Sequence, residues 1–140
     1  PHIYASGDIA SQPFEGGFAR IETWENAQLH AQMVAENVLG ANKVVSSPIW
    51  FWSNQGELNL QVIGDITRGE QIKRLGRSEQ HFSIYTLDEE GAIIGCATIN
   101  SPKDMAMARK WMRDGIRLDS TKLADNSINL RLTTINEEQE

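Results

Sequence analysis

The sequence predicts an α+β fold in which an antiparallel sheet has its helices packed on one face. The first observation is a series of short β-branched and aromatic segments that end at glycine or acidic turns. The second is a helix start at Ser101-Pro102, with serine as the cap and proline at the first helical position. Because the strands come first and the helix follows, we expect an antiparallel meander covered by a helix, over residues 45–132.

Four of these segments are predicted as strands. Residues 58–62 alternate apolar and polar side chains, as in a strand with one buried face, and the strand stops at Gly64-Asp65. Residues 70–77 show a weaker strand pattern. The segments 82–87 and 92–99 are joined by a four-residue acidic turn, which predicts a hairpin.

The helix after these strands is expected to lie across the sheet and to end at Gly115. One side of it is apolar: Ala108, Trp111 and Met112. Residues 119–124 are predicted to form one more short turn of helix. The acidic tail at 137–140 is expected to be frayed.

The clearest helix of the chain precedes this unit. Thr23 is a good N-cap, Glu25 suits the first turn, and Gly40 suits the position just after the end. Apolar residues recur at helical spacing and predict one buried stripe: Trp24, Ala27, Ala31, Val34, Ala35 and Val38. The plainest interpretation is an amphipathic helix against a sheet. Its positive amino end could also serve an anionic or electron-rich ligand atom.

The chain opens with a strand-like run, Pro1-His2-Ile3-Tyr4-Ala5, that arrives at Gly7 and Asp8. Such an apolar strand normally has neighbours in a sheet, so we expect the chain to be part of a longer polypeptide. Gly7 permits unusual dihedrals and Asp8 offers a carboxylate to hydroxyl groups, which suits a ligand at the carboxyl end of a strand. A simple turn is the commoner explanation of an isolated Gly-Asp pair. Residues 10–20 are predicted as a loop.

Two of the four tryptophans lie in the segment Pro48-Ile49-Trp50-Phe51-Trp52-Ser53-Asn54-Gln55-Gly56, which follows a connector at 41–47. The proline, the aromatic run and the turn residues predict a short strand. Strand alternation places Trp50 and Trp52 on one face. Two indoles on one face either fill a core or form the wall of a site, and the residues alone leave both open.

Composition restricts the class of protein. With 140 residues, 40 % apolar and 23 % charged, the chain is expected to be globular, and its net charge of −6 argues against a nucleic-acid partner. We find no apolar run that could span a bilayer and no leader, so we expect no membrane partner and a cytoplasmic location. A single cysteine, Cys96, excludes a dithiol centre, and three scattered histidines do not support a metal site.

The usual catalytic and nucleotide-binding motifs are missing. The sequence contains no Gly-x-Gly-x-x-Gly, no phosphate loop, no Gly-x-Ser-x-Gly and no His-Glu-x-x-His. We therefore predict no catalytic residue and no self-contained active site.

Three segments, taken in order, closely resemble one family. They are Ile3-Tyr4-Ala5-Ser6-Gly7-Asp8, Arg20-Ile21-Glu22-Thr23-Trp24-Glu25-Asn26-Ala27 and the tryptophan-rich segment 48–56. The family is that of the FAD-dependent NAD(P)H:ferredoxin reductases, typified by putidaredoxin reductase and the reductases of aromatic-ring dioxygenases. Residues 60–64, 94–100 and 118–125 are similar to its C-terminal domain, so the resemblance covers nearly the whole chain.

The resemblance implies a cofactor site. Asp8 corresponds to the aspartate that hydrogen-bonds the ribityl part of FAD, and Gly7 leaves room for the cofactor. Trp24 stands where a backbone N–H faces the pyrimidine edge of the flavin, and Trp52 matches a tryptophan near the flavin on the side where ferredoxin docks. Trp50 packs behind or beside it. One departure is Asn54, where the family commonly has aspartate, which puts a role for charge there in doubt.

A basic cluster stands out in this acidic chain: Arg68, Lys73, Arg74 and Arg77. Similar basic surface in such reductases attracts acidic ferredoxins, so these residues are candidates for partner binding together with Trp50. A solvated strand edge, protected by its charges from aggregation, explains them equally well.

The resemblance thus implies that residues 1–44 are the strand, loop and helix at the end of a Rossmann-like FAD-binding domain, and that 45–140 are the C-terminal domain. The full-length protein would pass electrons from NAD(P)H through FAD to a 2Fe–2S ferredoxin. These 140 residues alone are expected to bind no FAD and to be inactive. The alternative is a non-catalytic interaction or dimerisation module that forms a homo-oligomer. Disulfide reductases of related architecture need a cysteine pair that this chain lacks.

Overall fold

The computed structural model of the chain describes residues 3–14 and 16–135. The chain divides between Phe51 and Trp52 into two compact units. Two expectations lie outside the described residues: the first two positions of the predicted opening strand, and the acidic tail at 137–140.

The first unit contains a 3₁₀ turn, a β-hairpin and a long helix. In chain order these are the turn Gly7–Ile9, β1 Ser11–Phe14, β2 Gly17–Arg20 and α1 Trp24–Val38. The predicted opening strand does not form in residues 3–6. Ser6 has extended backbone, with φ −144° and ψ 147°, but a strand also needs a hydrogen-bonded neighbour, and no described residue pairs with this segment as a strand.

β1 and β2 form an antiparallel hairpin, so the loop predicted for residues 10–20 is wrong there. Pro13 lies opposite Phe18, and Gly16 has φ +79° in the turn. Proline donates no backbone hydrogen bond and therefore weakens the strand pattern of the sequence. In a two-stranded ribbon it is tolerated, because every strand has an open edge.

The limits of α1 confirm the predicted helix, but its buried face differs from the prediction. The Thr23 Oγ1 accepts a hydrogen bond from Asn26 N at 3.2 Å, and Gly40 follows the helix with φ +97°. The buried side chains of α1 are Asn26 and His30, whereas Trp24 is 61 % exposed. The predicted apolar stripe is therefore not the buried face, because the helix turns polar groups toward the backbone of the preceding segment.

The second unit is built on a five-stranded sheet. The strands of this sheet are β3 Trp50–Gln55, β4 Leu58–Gly64, β5 Glu70–Leu75, β6 Phe82–Leu87 and β7 Ile93–Ile99, and the first two residues of β3 are the last of the first unit. Their spatial order is β3-β4-β7-β6-β5, and β7 pairs antiparallel with both β4 and β6. The predicted strands and the predicted hairpin between β6 and β7 are confirmed.

The link from β4 to β5 crosses the ends of β7 and β6, so the sheet has a Greek-key order and the predicted meander is wrong. A meander would place β5 beside β4, where β7 lies instead. The crossing is close, since a Cβ at Gly95 would lie 2.0 Å from Asp65 O, and one at Gly69 would lie 2.2 Å from Leu87 O. Both crossing points thus require a residue without a side chain.

Gly95→Ala is expected to lower the free energy of unfolding by about 2 kcal/mol, because the crossover must shift to admit the new Cβ. Gly17→Ala is the matched control. Its φ is not left-handed and the nearest atom, Phe14 O, would be 3.7 Å from the Cβ, so a change within about 0.5 kcal/mol is expected. Urea unfolding followed by circular dichroism measures both variants, and equal stability losses would contradict the close crossing.

Two helices cover one face of this sheet, as the sequence predicts. They are α2 Pro102–Asp114 and α3 Ser120–Ala124, and a 3₁₀ turn at Leu130–Leu132 follows. The buried side chains of α2 are Met105, Ala108 and Trp111. The Trp111 ring lies 6.2 Å from the ring of the fully buried Tyr85 on β6, measured between centroids. Gly115 ends α2 with φ +64°, as expected.

Candidate functional site

The predicted cofactor-binding pair Gly7 and Asp8 forms the start of the 3₁₀ turn, beside the first turn of α1. Gly7 is buried with φ +72°, and a Cβ there would lie 3.6 Å from Ala27 Cβ. Its N–H donates to Nδ1 of the buried His30 at 3.3 Å. Asp8 is exposed. The turn is therefore held against the helix through Gly7 while Asp8 faces solvent.

Trp24 is the first residue of α1, so its backbone N–H belongs to the positive amino end of the helix. Two amides of the same turn bond within the cap: Asn26 N donates to Thr23 Oγ1, and Ala27 N donates to Thr23 O at 3.0 Å. The Trp24 indole projects from this end and is 61 % exposed. The first unit thus brings together an exposed carboxylate turn and a helix amino end.

Trp50 is half-buried and lies near the same amino end. It lines a narrow crevice together with Thr23, Glu25 and Asn26. The structure therefore places this predicted partner-binding residue beside the start of α1. Its part in binding a partner stays a prediction.

Trp52 belongs to the second unit, on β3, and is 38 % exposed. On the same strand, Asn54 Oδ1 accepts a hydrogen bond from Asn59 Nδ2 at 2.8 Å, across the turn into β4. An aspartate would accept the same bond. The Asn54 departure from the family pattern therefore keeps the acceptor that the turn uses and removes only the charge.

Arg74 does not lie on a basic surface, which corrects its prediction as a partner-binding residue. It is 8 % exposed, because the strand alternation of β5 turns it toward α3. Its guanidinium donates to four backbone carbonyls: Leu123 O at 2.7 Å, Ile128 O at 2.8 Å, Asp125 O at 3.0 Å and Lys122 O at 3.5 Å. The guanidinium therefore has a structural role: its hydrogen bonds join α3 and the loop after it to the sheet.

The other three basic residues are exposed. Lys73 lies on β5 with its Nζ 4.7 Å from the centroid of the Phe82 ring. Arg77 lies just beyond β5, and Arg68 lies in the crossover, where its Nε donates to the Asp65 carboxylate. Hydrogen bonds from the Thr67 hydroxyl and amide, and then from Arg68, hold the pKa of Asp65 well below its usual range. These exposed cations remain candidates for partner binding.

The described part of the chain offers little else of chemical interest. Within residues 3–14 and 16–135, no three His, Cys, Asp or Glu side chains cluster closely enough to hold a metal ion. No helix in these ranges has the length and apolar character that crossing a membrane requires. Burial, with a smaller effect of the Asp104 charge, raises the pKa of the Cys96 thiol, which makes this buried cysteine unreactive.

The polar contacts that hold the Gly7–Asp8 turn to α1 are not predicted from the sequence. Asn26 and His30 supply them, and their i, i+4 spacing on one helix face is the signal that could have revealed it. The apolar residues at similar spacing concealed this signal, because a stripe of alanine and valine is the more familiar mark of a buried face.

Residues 50–134 match the model of the protein family described as reductase C-terminal. A curated relative, the ferredoxin–NAD(+) reductase component of the p-cumate 2,3-dioxygenase system of Pseudomonas putida, is 51 % identical over 131 residues. This alignment covers 94 % of the chain and 33 % of the relative. The chain therefore spans about a third of the length of this relative.

Two solved structures of ferredoxin reductases are also similar to this chain. The ferredoxin reductase for the CYP199A2 system from Rhodopseudomonas palustris is 30 % identical with a TM-score of 0.79, over 96 % of this chain and 34 % of that one. The reductase in a covalent putidaredoxin reductase–putidaredoxin complex is 26 % identical, also with a TM-score of 0.79, over 94 % of this chain and 32 % of that one.

Proposed function

The chain belongs to the reductase C-terminal family, and we propose that it is part of a flavoprotein that transfers electrons from NAD(P)H through FAD to a ferredoxin. In this proposal residues 1–44 complete the FAD-binding domain and 45–140 form the C-terminal domain. The named relatives are reductases of dioxygenase and P450 systems, which supports an electron-transfer role.

One observation in the molecule itself carries the proposal. The exposed Asp8 follows Gly7, where an added Cβ would lie 3.6 Å from the Cβ of Ala27, so the turn that carries this carboxylate lies against the first turn of α1. A ligand that fits both presents hydrogen-bond donors, such as hydroxyl groups, to the carboxylate and an electron-rich edge to the helix. The ribityl chain and the pyrimidine edge of FAD have these properties.

The residues present therefore fit a flavin. Asp8 would hold the ribityl hydroxyls, and the amino end of α1, at Trp24, would favour negative charge at the pyrimidine edge. Bound FAD would supply the chemistry that protein side chains lack, taking two electrons from a nicotinamide and releasing them singly. By the resemblance, Trp52, with its partly exposed indole, would lie near the flavin on the side where the ferredoxin docks, and Trp50, Arg68, Lys73 and Arg77 would contribute to docking.

The decisive experiment uses the full-length polypeptide that carries this chain. Purified protein should show flavin absorbance and should reduce a 2Fe–2S ferredoxin in the presence of NADH or NADPH. A protein that has neither flavin absorbance nor nicotinamide-dependent reduction of a ferredoxin or a dye would refute the proposal.

Asp8→Asn in this full-length protein is expected to raise the Kd for FAD about tenfold, because hydrogen bonds to a charged acceptor are stronger than those to an amide. Flavin fluorescence during dilution measures this Kd. Glu89→Gln is the matched control, since it removes a carboxylate charge from the exposed turn between β6 and β7. If both variants bind FAD as tightly as the parent protein, Asp8 has no role in binding.

A second candidate function has an observation of its own. The first unit exposes large apolar side chains on its hairpin and helix, with Phe18 and Val38 among them, and such surface favours an interaction or dimerisation module without a cofactor. Size-exclusion chromatography with light scattering tests this candidate on the 140-residue chain. Self-association would support it, and a monodisperse monomer would refute dimerisation.

A further inference from the structure

We propose that His30 is a positioning residue for the flavin site: it holds the Gly7–Asp8 turn against α1. This inference rests on the function proposed above. His30 does not touch the cofactor in this scheme. It acts through the backbone amide of Gly7, the residue directly before Asp8.

The contact between His30 and Gly7 is a buried hydrogen bond from a backbone amide to a side chain. His30 is 2 % exposed, the most buried side chain of α1, and its Nδ1 accepts the hydrogen bond from Gly7 N at 3.3 Å. Accepting this bond requires an Nδ1 that carries no proton. The Gly7 N–H is buried, and without His30 it would lose this acceptor.

A second anchor lies one helical turn earlier. Asn26 Nδ2 donates to Ile21 O at 2.9 Å, and Asn26 is buried as well. The two side chains hold the two ends of segment 7–21 to the same face of α1. An ordinary core helix would bury aliphatic side chains at these positions, which could pack the segment but could not set the direction of its peptide groups.

Fixing the turn matters because the two proposed flavin contacts lie on different elements. The Asp8 carboxylate belongs to the 3₁₀ turn, and the positive amino end belongs to α1. A ligand that contacts both elements binds tightly only when the distance between them is fixed before binding. A displacement of about one ångström lowers the affinity. The bond from Gly7 to His30 joins these two elements next to Asp8.

The test compares two variants of the full-length protein. His30→Leu keeps the size and burial of the side chain but removes the acceptor, and we expect it to raise the Kd for FAD about tenfold. His30→Gln offers an amide oxygen to the Gly7 N–H and should restore FAD affinity to within about threefold of the parent. Hydrogen exchange of the Gly7 amide should be faster in His30→Leu alone.

Each outcome decides a specific point. Unchanged FAD affinity in His30→Leu would overturn the positioning role, because the side chain would then have no effect on binding. Equal losses of FAD affinity in His30→Leu and His30→Gln would also overturn it, because they would indicate that only packing is affected. Unfolding of the flavin-free proteins by urea separates a loss of fold from a loss of positioning. Absence of flavin from the parent protein would overturn the proposed function, and the role of His30 with it.

Discussion

Replacing Arg74 with methionine is expected to lower the free energy of unfolding of the second unit by about 4 kcal/mol. The guanidinium donates to four backbone carbonyls between residues 122 and 128, at 2.7 to 3.5 Å. Methionine fills a similar volume but donates nothing, so these carbonyls lose the donor they share, a side chain that is only 8 % exposed. Urea unfolding followed by circular dichroism measures the change.

Lys73→Met is the matched control for this substitution. Lys73 is the preceding residue of β5, but it is exposed, and its Nζ lies over the face of the Phe82 ring. A loss of about 0.5 kcal/mol in the free energy of unfolding is therefore expected for Lys73→Met. Arg74→Lys should fall between the two, because an ammonium cannot reach all four carbonyls. A stable Arg74→Met protein that lost only ferredoxin reduction would restore the surface role that the sequence suggests.

Trp52→Ala in the full-length protein is expected to slow the reduction of ferredoxin about 100-fold, through the loss of a large indole at the proposed docking face. The reduction of FAD by the nicotinamide should change less than about threefold, because Trp52 is not proposed to take part in it. Stopped-flow absorbance follows the two half-reactions separately. Equal losses in both would contradict the proposed role of Trp52.

Phe51→Ala provides the control for Trp52. The two residues are neighbours on β3 and are equally exposed, at 38 % each, but they point in opposite directions along the alternating strand. Phe51→Ala should therefore leave ferredoxin reduction within about threefold of the parent protein. A loss as large as that of Trp52→Ala would indicate a general effect on β3.

The candidate site was only partly accessible to prediction. Gly7, Asp8, Trp24 and Trp52 come from the resemblance to ferredoxin reductases, and their roles stay predictions. The structure adds that Gly7 is bonded to His30 and that Asp8 is exposed beside the helix. It also removes Arg74 from the candidates for partner binding, because the side chain is buried. The sequence does not show this burial, since it depends on a segment about 50 residues further along the chain.

The sequence by itself determined the elements of the second unit and the limits of α1, because these depend on local signals. Thr23 and Gly40 bound one helix, Pro102 and Gly115 bound another, and alternation marks the strands. Only the tertiary structure decided the strand order, the buried face of α1 and the place of Arg74. Each of these depends on contacts between distant segments, such as Asp65 over Gly95 or His30 on Gly7, and no local pattern encodes which segments will meet.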